Sequence, residues 1–214
     1  MVGILLLVQL AGFIVPFVLL LPMVPADFIE QAAASSSQVR TAVFLLYGNC
    51  ALTIGLSIVV WPLLRQQCEG LALLLVAVSA IMFSLQAVDN AHLLSMLALS
   101  QQYADEGARG DLVRAMAMAV RSTRRWVHYS ELLSIEAWLF VFYSLLYRTA
   151  PVPRALSVFG LVTVVAHFTG IVLPFFLGYS GVVALGMPMG LSQLAVALWL
   201  AIKGFAAPRA LEPA

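Results

Sequence analysis

Six apolar runs, at 3–24, 41–64, 70–92, 126–147, 155–177 and 181–203, are each long enough to cross a hydrocarbon core of roughly 30 Å. A soluble core cannot hide that much apolar surface: 63% of the 214 residues are hydrophobic, 10% are charged and the mean hydropathy is +1.01, against roughly 45–50% apolar in an ordinary globular domain. In lipid every backbone polar group must be satisfied within its own segment, which selects helices. The chain is therefore expected to be all-α, a polytopic transmembrane bundle of about six spans forming a single membrane domain over 1–214, with both termini on one side. The opening MVGILLLVQLAGFIVPFVLLLP has no positive n-region, and its apolar stretch is about 20 residues long, beyond the length of a signal peptide. It reads as an uncleaved first helix.

The connections carry further information. PADFIEQAAASSSQVR reads as a solvent loop with room for a short interfacial helix, and LRQQCEG and YRTAPVPR are short enough to make antiparallel hairpins of their neighbours. LLSMLALSQQYA continues the helical pattern of the third span beyond membrane depth. After the turn DEGARGD comes an amphipathic helix between spans three and four, with Leu112, Ala115, Met116 and Ala119 set against Arg114, Arg121, Arg124 and Arg125. It either lies at the interface or extends the fourth span outward, and its basic face is expected to be solvated and snorkelling. Pro16, Pro174 and Pro188 sit inside apolar runs and are expected to kink them. Gly186 with Gly190, and Ala166 with Gly170, have the small-xxx-small spacing that suits packing within the bundle, with dimerisation as the alternative.

A net charge of +1 and the lack of basic stretches interleaved with aromatics exclude nucleic acid as a partner. Cys50 and Cys68 have no metal-knuckle or redox spacing. Lys and Arg divide almost evenly: Arg65, Arg148, Arg154, Lys203 and Arg209 on the terminal side, Arg40, Arg109, Arg114, Arg121, Arg124 and Arg125 on the other. The positive-inside rule weighs short loops near helix ends, so both termini are expected in the cytoplasm, with the chain in a bacterial inner membrane.

Ionisable groups at membrane depth cost several kcal/mol and mark functional sites by default. At 1.5 Å per residue, Asp89 and His92 lie about 30 Å from the start of the third span, at the surface that carries the long connection. His128 and Glu131 fall within about 8 Å of that surface, Glu136 about 15 Å in, and His167 at a comparable depth. Asn49 and Gln86 are near in depth. Asp89 with His92, and His128 with Glu131, are i, i+3 pairs that share a helix face. Asn49, Gln86, Asp89, His92, His128, Glu131, Glu136 and His167 are thus the candidate ligand-binding set, and His92, His128 and His167 are candidate ligands for a divalent metal. Ordinary structural pairing of these groups is the competing reading. No GxSxG, HExxH, P-loop or dinucleotide fingerprint is present, so no catalytic residue is assigned.

GILLLVQLAGFIVPFVLL, RQQCEGLALLLV, LLSMLALSQQYA, YRTAPVPRALSVFGLV and ALWLAIKGF resemble an uncharacterised bacterial membrane family, domain of unknown function 4386. The resemblance covers nearly the whole chain and implies a compact helical membrane protein with no established reaction. It also implies an Arg and a Glu early in the third span and a Glu in the last, where this chain has the uncharged VAVSAIMFSLQ and Gln193. Three functions stay open: a receptor, carrier or accessory subunit binding a small molecule or lipid head group; a membrane-embedded metal-dependent enzyme acting on a lipid or amphiphile; and a packing subunit of a larger complex. Membrane lipid is the partner common to all three, and an oligomer or partner subunit is compatible with each.

Overall fold

A computed structural model describes residues 1–25, 27–106, 110–178 and 183–204. Gly107, Ala108 and Arg109 of the expected turn, Gly181 and Val182 at the start of the expected sixth span, and Arg209 lie outside them. The described residues are helical, without strands: α1 (Val2–Leu19), a short α2 (Phe28–Gln31) flanked by 3-10 turns, α3 (Ser36–Glu106), α4 (Asp111–Thr149), α5 (Arg154–Leu177) and α6 (Met187–Lys203). Four helical stretches are long and apolar enough to cross a membrane: Val2–Leu19, Ala33–Asp105, Asp111–Thr149 and Arg154–Leu177. α6 is a shorter apolar helix whose 17 residues rise about 26 Å, at the low end of the range for a spanning helix.

α3 combines the expected second and third spans. Its 71 residues are interrupted at Cys68 (φ −145°, ψ 65°), which separates a first arm, 36–67, from a second, 69–106. Tyr47 and Phe83 lie on opposite sides of that break with ring centroids 6.1 Å apart, so the arms run alongside each other as an antiparallel pair. The second arm continues to Glu106, as the LLSMLALSQQYA pattern requires.

The prolines are used in two ways. Pro16, Pro62 and Pro174 sit inside helices. Pro188 does not kink a span as expected: it occupies the first turn of α6, where its missing donor leaves no intrahelical bond unmade. Gly178, left-handed at φ 71°, ends α5 and donates its N–H to the Leu173 carbonyl.

Two compact units are distinguished by their internal contacts: Met1–Leu10, Leu52–Ile81 and Leu132–Ala214 in the first, Ala11–Ala51 and Met82–Glu131 in the second. In the first, Gly3 brings α1 against α6 so closely that a Cβ would lie 2.2 Å from the Ala201 nitrogen and 2.6 Å from the Ala197 carbonyl oxygen. Polar side chains close the interior in pairs. Gln9 donates to Thr53 at 2.6 Å and the Trp138 indole to Ser57 at 3.0 Å, while Ser192 lies 3.0 Å from both Tyr143 and Thr163. Such pairing is how buried polar groups are accommodated between apolar helices. Apolar side chains such as Phe140, Val162 and Ile202 are exposed, as on helices apolar enough to face lipid.

The second unit is organised by a cluster of Phe28, Ile29, Val43, Met96, Leu97, Val113 and Ala117. Ser100 fastens the α2 turn, donating to the Ile29 carbonyl at 2.7 Å and accepting from the Ala33 N–H at 2.9 Å. The Leu112–Arg125 segment is continuous with the fourth span and forms the outer part of α4. Leu112 and Met116 are 72% and 51% exposed, and the buried stripe is Val113 and Ala117, with Arg121 and Arg124 on the same side. Arg121 donates to the carbonyls of Pro25 (2.6 Å) and Val24 (2.7 Å), its guanidinium 5.6 Å from the centre of the Phe28 ring. The basic face is partly a packing face because its acceptors belong to other segments of the chain.

Candidate functional site

The second unit places a charged cluster on two helices. On the second arm of α3, Gln86, Asp89 and Asn90 follow the i, i+3, i+4 spacing of one helix face, and all three are buried, with Gln86 donating to Asn90 at 3.0 Å. On α4, Arg124, His128 and Glu131 follow i, i+4, i+7 and likewise share a face. Arg124 donates to Asp89 Oδ2 at 3.0 Å. His128 Nδ1 lies 3.2 Å from Glu131 Oε2 and 3.9 Å from Asp89 Oδ2, so the imidazole sits between two carboxylates. Asp89 is 1% exposed and Glu131 5%, whereas the His128 side chain is half-exposed.

Beside this cluster is a cavity of about 600 Å³ lined by residues of the same unit. α4 supplies Met118, Arg121, Ser122, Arg124, Arg125, His128 and Tyr129 to its lining, and the end of α1 with the turn after it supplies Phe17, Leu20, Met23 and Val24. The volume is that of a small-molecule pocket, roughly 300–1,000 Å³, and the lining offers cationic donors and apolar surface to one occupant.

Glu136 and His167 belong to the first unit, where Glu136 Oε1 and His167 Nδ1 are 2.5 Å apart and the imidazole packs on Gly186. His92 is half-buried and has its Nδ1 2.8 Å from the Val88 carbonyl, one turn back on its own helix. Asn49 is buried against α1, where a Cβ on Gly12 would meet its Oδ1 at 2.3 Å. Gln193 lines a water-sized cavity of about 10 Å³ with Gln9, Trp138 and Tyr143.

Of the eight residues selected from the sequence, the structure therefore gathers Asp89, His128 and Glu131 in one place and pairs Glu136 with His167 in another. Among the described residues, the group whose ligand atoms converge is Asp89, His128 and Glu131, within 4.8 Å of one another. The set of three histidines is not that group: His92 bonds its own helix and His167 bonds Glu136. Sequence reasoning missed Arg124 as a site residue, although its i, i+4, i+7 relation to His128 and Glu131 was a usable signal.

A family model described as Domain of unknown function (DUF4386) matches residues 1–204. The chain belongs to this family. No curated protein and no solved structure matches it. DUF4386 thus supplies a membrane-spanning helical protein without an assigned activity, and a functional reading of this DUF4386 chain has to come from its own cluster and cavity.

Proposed function

We propose that this DUF4386 protein crosses a bacterial inner membrane six times, with both termini cytoplasmic, and binds the anionic head group of an amphiphile in the second-unit cavity. The observation that carries the reading is the mixed lining of one cavity, in which arginines of α4 stand together with Phe17, Leu20, Met23 and Val24 of α1 and the turn after it. Guanidinium groups match phosphate and carboxylate oxygens bidentately, and an apolar lining accepts the first carbons of an acyl chain. Arg121 and Arg124 already hold protein acceptors, which fixes them in place; Arg125 is exposed, with its guanidinium 5.9 Å from the centre of the Tyr129 ring.

In detergent, phosphatidylglycerol is expected to raise the thermal midpoint by several degrees over phosphatidylcholine, since a ligand at a hundredfold excess over its Kd contributes about 2.7 kcal/mol. Arg125→Gln should remove most of that difference. Equal shifts from the two lipids would overturn the reading, and an equal shift from inorganic phosphate alone would replace the lipid with a soluble anion.

The topology has its own test. With Cys68 replaced by Ser, a cysteine at exposed Gln66 is expected to resist a membrane-impermeant thiol reagent in intact cells and to react after permeabilisation. Ready labelling of intact cells would reverse the orientation.

A further inference from the structure

Asp89, His128 and Glu131 have a geometry that head-group binding does not explain. A metal bound by nitrogen and oxygen at about 2.0–2.2 Å holds neighbouring ligand atoms about 3–3.5 Å apart. His128 Nδ1 and Glu131 Oε2 are 3.2 Å apart, already at that separation, and His128 Nδ1 and Asp89 Oδ2, at 3.9 Å, are a few tenths beyond it. Two of the three donors are carboxylates at least nine-tenths buried, an arrangement that costs free energy unless a cation compensates it.

A guanidinium supplies part of that compensation, since Arg124 donates to Asp89 Oδ2 at 3.0 Å. The other oxygen of the same carboxylate, Oδ1, is buried and has no hydrogen-bond partner. It is therefore an acceptor left over in the cluster, on a residue 1% exposed. A metal ligand must be a neutral imidazole, and with His128 in that form two carboxylates and one guanidinium leave the cluster a single negative charge to set against a dication.

We infer that Asp89, His128 and Glu131 are the protein ligands of a divalent first-row transition-metal ion. The imidazole nitrogen argues against magnesium and calcium, which take oxygen donors. Three protein ligands leave coordination positions open, as in catalytic rather than structural sites. His128 and Arg124 both line the cavity, so an exogenous oxygen ligand has a route to the ion. Helical bundles hold metals in their interiors with a Glu and a His three apart on one helix and a carboxylate on another; α4 and α3 supply the same donor types, with the order on α4 reversed, His128 before Glu131.

The inference goes beyond the head-group reading and is tested without lipid, so either can fail alone. Protein purified in detergent and stripped with chelator is titrated with Co²⁺, read by visible d–d absorption and by elemental analysis after desalting. One Co²⁺ per chain is expected, with an absorption spectrum of low-coordinate cobalt. His128→Ala, Glu131→Gln and Asp89→Asn should each weaken uptake by more than about a hundredfold, beyond the roughly 10–100-fold that loss of an outer-shell partner typically costs. His92→Ala should leave it unchanged. Thermal melts identify variants that have lost the fold; Glu131→Gln, which keeps shape and volume, carries the test if another ligand variant does not fold. Folded wild-type protein that takes up no cobalt, or uptake unaltered by His128→Ala and Glu131→Gln, would overturn the site.

Discussion

Asp89→Ala is expected to lower the stability of the metal-free protein in a mixed-micelle denaturation by about 3 kcal/mol. Removing one partner of a buried ion pair leaves the other uncompensated, at about 3–5 kcal/mol in the fully buried limit. Asp89 is within that limit; the Arg124 side chain keeps 20% exposure beside the cavity, which places the expectation at the lower end. The double variant Asp89→Ala/Arg124→Met should recover most of the loss, because replacing both members with apolar groups abolishes the orphaned charge. A double variant no more stable than Asp89→Ala would show that Arg124 reaches solvent or head groups and that the pair does little for the fold.

Gly160→Leu is expected to cost about 3 kcal/mol, the upper end of ordinary overpacking, whereas Gly190→Leu should stay within about 0.5 kcal/mol. A Cβ at Gly160 would lie 2.2, 2.3 and 2.5 Å from three atoms of the Tyr143 ring, and a Cβ at Gly190 meets nothing within 4 Å. The ring has little freedom to withdraw, for Tyr143 is fully buried and its hydroxyl is 3.0 Å from Ser192, which Thr163 also engages. Unfolding in mixed micelles distinguishes the two substitutions, and Tyr143→Ala should relieve part of the Gly160→Leu penalty. Equal losses at the two glycines would mean that added bulk in the helix, not the contact with Tyr143, determines the cost.

The contrast between those glycines shows what local sequence conveys here. Hydropathy and length identify the apolar helices, because each run carries its own evidence. The small-xxx-small spacing of Gly186 and Gly190 was a guide at one of its two positions. A Cβ at Gly186 would lie 2.8 Å from the His167 ring, whereas one at Gly190 would meet nothing within 4 Å, and closer approaches are made by Gly3, Gly12 and Gly160, which stand in no motif. Whether a glycine faces a neighbour depends on rotation about the helix axis, and depth counting leaves that rotation free.

The candidate site divides in the same way. Asp89, His128 and Glu131 were identified because a charge in an apolar segment is conspicuous, and Glu136 and His167 were placed at matching depths for the same reason. What depth could not give was azimuth: it grouped His92 with the other histidines, although its imidazole turns back to Val88. It also left Arg121 and Arg124 on a solvated face. The outer segment of α4 has two stripes of helical spacing, Leu112, Ala115, Met116, Ala119 and Val113, Ala117, Arg121, Arg124. The second packs inward, Val113 and Ala117 buried and the two arginines half-buried, because Asp89 and the carbonyls of Val24 and Pro25 accept from those arginines, and these acceptors are 35 and nearly 100 residues away in the chain.

The break at Cys68 has a consequence for how such a chain can change. A single non-helical residue joins the two arms of α3, so the joint has no slack and acts as a phase lock between them. Adding or deleting one residue there would advance or retard one arm by about 100°, enough to turn Phe83, and with it Gln86 and Asn90 on the same helix face, away from the side on which Phe83 meets Tyr47. An indel at this joint is therefore expected to undo the packing of the two arms without altering a single residue that makes it.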